Sequence, residues 1–213
     1  MPRLARKPLN AYHHGDLREA LVKAALAEVE RGGPEAISIK ALAKKLGVSQ
    51  PAPYRHFADR EALLQAVAAE ALRQFSAVLR ETISKPSRRS KLSRFAQATF
   101  EFGLHRNGVY RLVFASRIMA CAPDDSELHD AGMEAFGLLL EALEAPAIGL
   151  IRERHALKIW ASLHGVVMLA EQRLLTGEIA GMTREELVED IVQETRLSLS
   201  AAIEATTRES PTV

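Results

Sequence analysis

The sequence predicts an all-α protein of about nine helices, a short three-helix head followed by a larger antiparallel helical bundle. Three observations predict it. Alanine, leucine, glutamate and arginine dominate the 213 residues, and all four are strong helix formers. Glycine and proline are sparse, at 12 and 9, and groups such as Gly33-Pro34 and Asn107-Gly108 separate apolar-periodic stretches. No stretch alternates apolar and polar residues as a half-buried strand does.

The first helix is expected to begin near Asp16, because Leu17, Leu21, Ala25 and Val29 fall four apart on one face, and Gly32, Gly33 and Pro34 stop it. Ser38 can cap the second helix, with Ile37 and Leu42 flanking the cap as a hydrophobic staple. Gly47 ends that helix where a left-handed residue is wanted, and only Val48 separates it from the next cap candidate, Ser49. Taking Ser49 as the cap puts Pro51 at the second helical position, where a missing N–H costs nothing. Pro53 then falls at the fourth and removes only the first helical bond. The expectation is a short third helix with a proline-stiffened start, closed by Phe57. Asp59 caps a long helix that carries Glu61 in its first turn and ends near Lys85-Pro86. Five more helices are expected at about 88–105, 109–120, 125–144, 153–176 and 183–206, the first four stopped by Asn107-Gly108, Pro123, Pro146 and Gly177.

Two short helices joined by so tight a turn, with small Ala43 allowing their close approach, make a helix-turn-helix. Charge follows the same division. Residues 1–64 carry 11 Lys/Arg against 7 Asp/Glu, a net +4, whereas residues 65–213 carry 17 against 20, a net −3. The charge split points to a nucleic-acid-binding head at 1–64, with a basic arm over 1–12, on a neutral or acidic body at 65–213. The lone Cys121 excludes an intrachain disulfide and a paired-cysteine metal site, and points to a reducing, cytoplasmic setting. The start has no apolar h-region, and runs such as Gly165–Ala170 are too short to span a bilayer, so neither a secretory signal nor a membrane partner is expected. His13 and His14 are adjacent and would point about 100° apart on a helix, a poor metal pair. Asp124, Asp125, Glu127, His129 and Asp130 crowd a helix start, which the helix dipole explains without a metal. No nucleophile–base pair, metal cluster or phosphate loop supports an enzyme, and no cofactor is expected.

The stretch "ISIKALAKKLGVSQPAPYRHFADREALL" at 37–64 resembles the DNA-binding domain of TetR-family transcriptional regulators. The matching elements are the serine-capped helix, A-x-x-x-G-V-S, Y-R-H-F and the acidic-capped "DREALL"; "YHHGDLREALVKAALAEVERGG" at 12–33 looks like the family's first helix. In the second part "WASLHGVVML" carries Trp160, His164 and Gly165 in the W-x-x-x-H-G arrangement of one subgroup of TetR-type C-terminal domains, and "FEFGLHRNGVYRLVF" resembles another segment of it. The resemblance implies an all-α homodimer whose head binds DNA and whose divergent body binds a small molecule that loosens the head from its operator.

Gln50, Ala52, Arg55 and Lys40 are the base-reading candidates: glutamine suits adenine, alanine a thymine methyl, and arginine guanine. Ser38 and Ser49, as helix caps, can meet phosphates. The resemblance implies the same for Tyr54 and His56, and for Arg60, which keeps the positive charge where the family usually has lysine. Arg3, Arg6 and Lys7 can enter the minor groove as an arm.

The helix at 153–176 carries two apolar stripes, which predicts burial on two sides. Ile159, Leu163, Val166, Ala170 and Leu174, with Val188, Ile191, Val192, Thr195 and Leu199 of the last helix, are assigned to a four-helix dimer interface, an arrangement the resemblance also implies. The second stripe and bulky residues upstream are assigned to a ligand pocket: Phe95, Thr99, Phe102, Tyr110, Phe114, Met133, Phe136, Trp160, His164 and Met168. The function expected is a DNA-binding transcriptional regulator, a repressor that binds a palindromic operator as a dimer and is released by a small molecule of unknown identity. The alternative is a DNA-binding regulator controlled by a protein partner without such a ligand.

Overall fold

A computed structural model describes residues 14–178 and 180–209. Among them are eight α-helices and two single-turn 3₁₀-helices, with no strand. Arg3, Arg6, Lys7 and His13 lie outside the described residues. Helix α1 (His14–Gly32) is followed by the 3₁₀ turn Pro34–Ala36, α2 (Ile39–Lys45), the 3₁₀ turn Pro53–Arg55 and the long α3 (Arg60–Ser84). The body adds α4 (Lys91–His105), α5 (Asn107–Phe114), α6 (Glu127–Ala142), α7 (Ile151–Glu171) and α8 (Arg184–Glu209).

Local sequence explains most of the helix starts. The side-chain oxygens of Asp59, Ser90 and Ser126 accept from the backbone N–H of Ala62, Ser93 and His129 at 2.8, 3.1 and 3.2 Å, each satisfying an orphan donor. Thr183 and Glu186 form a reciprocal capping box before α8: each backbone N–H donates to the other's side chain, at 2.7 and 3.2 Å.

Two helix ends depart from the expected bounds, for identifiable reasons. The helix expected at 109–120 is α5, which begins at Asn107 and stops at Phe114. Only Arg106 separates it from α4. Gly108 lies inside the helix, where a Cβ would come within 2.1 Å of the Val29 carbonyl oxygen, so the glycine serves close approach to α1 rather than a break. Just past Phe114, the Ser116 hydroxyl donates to the Leu112 carbonyl and accepts from the Ile118 N–H at 3.1 Å, diverting the chain into turns. Helix α7 ends at Glu171 rather than 176 because Arg173 adopts a left-handed φ of 58°. Leu174 N–H then reaches the Leu169 carbonyl at 2.9 Å and Arg173 N–H the Ala170 carbonyl at 3.0 Å. Arginine gives no sequence signal for that turn, where glycine would.

Helix α3 is the spine. It packs against α1 on the head side and against α4, α5 and α6 in the body, and buried side chains from Leu17 to Leu199 form one contiguous core around it. The expected boundary between 64 and 65 therefore falls within a continuous helix. Helices α7 and α8 pair with each other and with α4 on the far side of the body. At the junction, α5 lies against α1, and Arg106 bonds Glu30 through Nε at 2.8 Å.

Candidate nucleic-acid interface and internal cavity

In the head, α2 ends as the sequence requires. Gly47 sits at φ +70°, Val48 N–H reaches the Ala43 carbonyl at 3.0 Å, and Gly47 N–H reaches that of Lys44 at 3.2 Å. The Ser38 hydroxyl caps the start of α2, accepting from Ala41 N–H at 3.4 Å, and remains exposed.

The segment after Gly47 corrects the expected third α-helix. Residues 50–57 form turns and the single 3₁₀ turn Pro53–Arg55. Pro51 and Pro53 have no N–H to give to carbonyls four residues back. The neighbouring N–H groups close shorter loops instead: Ala52 to the Ser49 carbonyl at 3.0 Å, Arg55 to that of Ala52 at 3.2 Å, and His56 to that of Pro53 at 2.9 Å. Ser49 thus acts through its carbonyl rather than as a side-chain cap, and Pro53 is the buried first residue of the 3₁₀ turn. Phe57, 4% exposed, pins the segment to the core beneath the Arg18 guanidinium, 5.7 Å from its ring centroid.

Above that anchor the candidate readers face solvent. Gln50, Arg55 and Lys40 are exposed, Tyr54 is half-exposed at 49%, and Ala52 is half-buried. His56 is half-buried, with an Nε2 that has no partner among the described residues. Arg60 is placed differently from the expected phosphate contact. Its guanidinium donates to the Ile37 carbonyl at 3.2 Å and to the Pro34 carbonyl, tying α3 to the turn before α2. Lys45 pairs with Glu28 at 2.9 Å, and this hydrogen bond holds that carboxyl below its ordinary 4.5.

The body holds a cavity of about 460 Å³ between α3, α4, α5 and α6, with Trp160 of α7 at its edge. Seven of the expected pocket residues line it: Phe95, Thr99, Tyr110, Phe114, Met133, Phe136 and Trp160. Three do not. Phe102 packs on Phe75, ring centroids 4.4 Å apart, beneath the Arg106 guanidinium. His164 stands behind Tyr110, stacked on its ring at 5.7 Å and hydrogen-bonded through Nδ1 to the Tyr110 hydroxyl at 3.0 Å. Met168 is half-buried one turn further along α7. Burial raises the Tyr110 phenol far above its ordinary 10 and lowers His164 below 6.5, so both are neutral at physiological pH. Trp160 meets Phe114 edge-on, centroids 6.4 Å apart at 66°. Sequence reasoning missed Leu72, Phe75, Val113, Met119 and Leu139, which complete the apolar wall, and Ser116 and His129, its further polar lining. The α3 residues carried no pocket signal in the sequence, and His129 was legible only as part of an acidic helix start.

The family model described as "Bacterial regulatory proteins, tetR family" matches residues 21–67, and that of the "Tetracyclin repressor-like, C-terminal domain" matches 92–195. Between them they take in the head and most of the body. The chain belongs to the TetR family of bacterial transcriptional regulators, which bind DNA and are not enzymes. An uncharacterised helix-turn-helix transcriptional regulator of Mycobacterium tuberculosis is 28% identical over 193 residues, 89% of this chain and 83% of that one. The class C tetracycline repressor of Escherichia coli is 45% identical over 51 residues, 24% of this chain and 23% of that one. Among solved structures, a protein of unknown function from a Rhodococcus species superposes with a TM-score of 0.70 at 27% identity, covering 88% of this chain and 97% of that one.

In this TetR-family chain the stripe of α7 expected to face a partner is turned inward, while of the second stripe Val167 is buried, Trp160 reaches the cavity edge and Leu157 faces solvent. Ile159, Leu163, Val166 and Ala170, with Val188, Val192 and Leu199 of α8, are buried inside the subunit at 7% exposure or less, because α7 and α8 pack on each other and on α4. They are unavailable to a partner. Ile191 and Thr195 are half-buried, and Thr195 turns its hydroxyl back to the Ile191 carbonyl at 2.8 Å. Leu174, beyond the end of α7, is 59% exposed. The apolar side chains that α7 and α8 show to solvent are instead Leu157, Trp160, Leu169 and Leu197, and a Cβ placed on Gly165 would meet nothing within 4 Å. Among the described residues there is no group of three potential metal ligands and no helix long and apolar enough to cross a membrane.

Proposed function

We propose that this regulator represses transcription by binding a palindromic operator as a homodimer, and that a small molecule entering the body cavity releases it. The carrying observation is that α5 touches both working parts. Tyr110, Val113 and Phe114 line the cavity, while Gly108 on the same helix rests on the backbone of α1. A ligand that moves α5 therefore acts on the head without an intermediary. A dimer across the outer faces of α7 and α8 would cover Leu157, Leu169 and Leu197 and admit a helix close to Gly165. Its two heads would read half-sites about one helical turn, roughly 34 Å, or more apart. Gln50, Ala52 and Arg55 are the proposed base readers. Ser38, Ser49, Tyr54 and His56 are the proposed phosphate contacts, with Lys40 reaching either, and the site of action is the cytoplasm. Selecting bound DNA from a random pool, then repeating the selection with a panel of small molecules, tests this. The expected result is an inverted repeat whose recovery a subset of the panel abolishes. Recovery of sequence-blind, salt-labile complexes only would sink it.

A further inference from the structure

The walls of the cavity are unequal. Those supplied by α3 and α4 are buried, as are Tyr110 and Val113 of α5. The lining residues that stand exposed are Ser116 and Ala120 in the turns after α5, Met133 on α6 and Trp160 on α7. The mouth therefore lies between those three elements. Trp160 belongs both to this mouth and to the outside of α7. It stands one turn from exposed Leu157, is itself 42% exposed, and meets Phe114 of the cavity wall edge-on. A large apolar ring left so far in water, at the rim of an apolar cavity, is a wall without its outer cover.

Charge on the outer faces of α7 and α8 says what the cover is. Beside Leu157, α7 exposes Arg154 and Lys158; on the stripe that leads to Leu197, α8 exposes Asp190 and Glu194. Among the described residues none of these four is ion-paired within the subunit. A twofold axis that lays α7 on the α8 of a second copy sets basic residues against acidic ones twice over, and the open space above Gly165 lets the helices approach. We infer that the effector cavity is completed only in the dimer: the second copy covers Trp160 and closes the α7 side of the mouth, so filling the cavity and pairing the subunits favour one another. The inference rests on the cavity being the effector site and on α7 and α8 forming the dimer face.

Trp160 is the chain's single tryptophan, so its fluorescence reports this one place. The full chain is diluted through its dimer–monomer transition, followed by sedimentation, and acrylamide quenching of Trp160 is measured at each step. Leu157→Glu, at an exposed position outside the cavity and with folding checked by its thermal melt, is expected to be monomeric at high concentration. Quenching is expected to be severalfold weaker in the dimer than in the monomer, whether dilution or the variant supplies it. The uncharged dye N-phenyl-1-naphthylamine, which brightens in apolar surroundings, reports the cavity by its own emission and is expected to bind the dimer severalfold more tightly than the monomer. Equal quenching of Trp160 in the two states, or equal dye affinity for them, would overturn the inference while leaving the cavity and the dimer as read. A chain that stays monomeric, or a Leu157→Glu chain that still dimerises, would overturn the α7–α8 dimer reading, and the inference with it. A dye that neither state binds would overturn the effector-site reading, and again the inference with it.

Discussion

The reading edge of the head and the cavity of the body solve opposite problems with similar residues. At the head, Gln50 and Arg55 stand exposed on a backbone stiffened by two prolines and pinned by Phe57, with Lys40 exposed on α2 before them in sequence. Order lies in the main chain, and the side chains keep their donors exposed for the proposed DNA contacts. In the cavity the main chain is mostly helix, with turns after α5, while each side-chain hydroxyl is already bonded to the protein. Arginine shows the contrast within a few residues: Arg55 is exposed, whereas the Arg60 guanidinium is bonded to backbone carbonyls. Arg94 repeats that second use in the body, donating to the carbonyls of Thr82, Lys85 at 2.7 Å and Ile83 at 3.0 Å, where α3 ends. Residue type therefore does not reveal role here; the partner of each donor does.

That contrast can be broken from several directions. The largest effect is expected where the body's packing is removed outright. Phe100, 0% exposed, truncated to alanine should cost about 3–5 kcal/mol. A denaturant titration showing less than about 1 kcal/mol would refute a close-packed body. Gly108→Val attacks the joint instead. Its side chain must displace the Val29 carbonyl, at about 1–3 kcal/mol, lowering the melting temperature by several degrees and weakening operator binding together. Arg55→Ala should do the reverse, leaving the melting temperature within error and erasing about 1–3 kcal/mol of discrimination at one base pair of the selected site. Arg60→Ala sharpens the comparison. Loss of its carbonyl bonds should lower stability by about 1–2 kcal/mol, measured by chemical unfolding, so any loss of DNA affinity should be accompanied by loss of head stability. An unchanged stability with weakened, less salt-dependent binding would restore Arg60 as a phosphate contact.

The smallest effect concerns pH. Burial lowers the pKa of His164 in the folded chain below its ordinary 6.5, so the unfolded chain binds the extra proton first. The contribution of neutral His164 is fully present above 6.5 and is lost as pH falls from there through the depressed folded value. Thermal melts across that interval should drop less steeply for His164→Gln than for the parent.

The head was more legible in the sequence than the body, and the reason is range. Ser38, Gly47 and Asp59 act on residues no more than five positions away, so their pattern alone announces cap, turn and cap. The 3₁₀ turn at Pro53–Arg55 escaped because two prolines at the fourth and second helical positions are compatible with an α start. Only the competing i→i+3 bonds of Ala52 and Arg55 decide it. In the body, both stripes of α7 were visible, but nothing within a stripe says whether α4 and α8 or solvent lies beyond it. Seven residues expected at a pocket line the cavity, five of them aromatic groups that must converge somewhere; the partners of the three hydroxyls, two carbonyls and an imidazole, are not displayed by a sequence.

Gly108 resting on the Val29 carbonyl has a mechanical meaning as well. A contact made between two backbones, with no side chain in between, has no rotamer to absorb displacement. It behaves as a bearing with little play, because a shift of α5 toward α1 meets backbone directly. On the proposed reading, a signal carried from the cavity to the head by α5 crosses a clearance that one methyl group would jam.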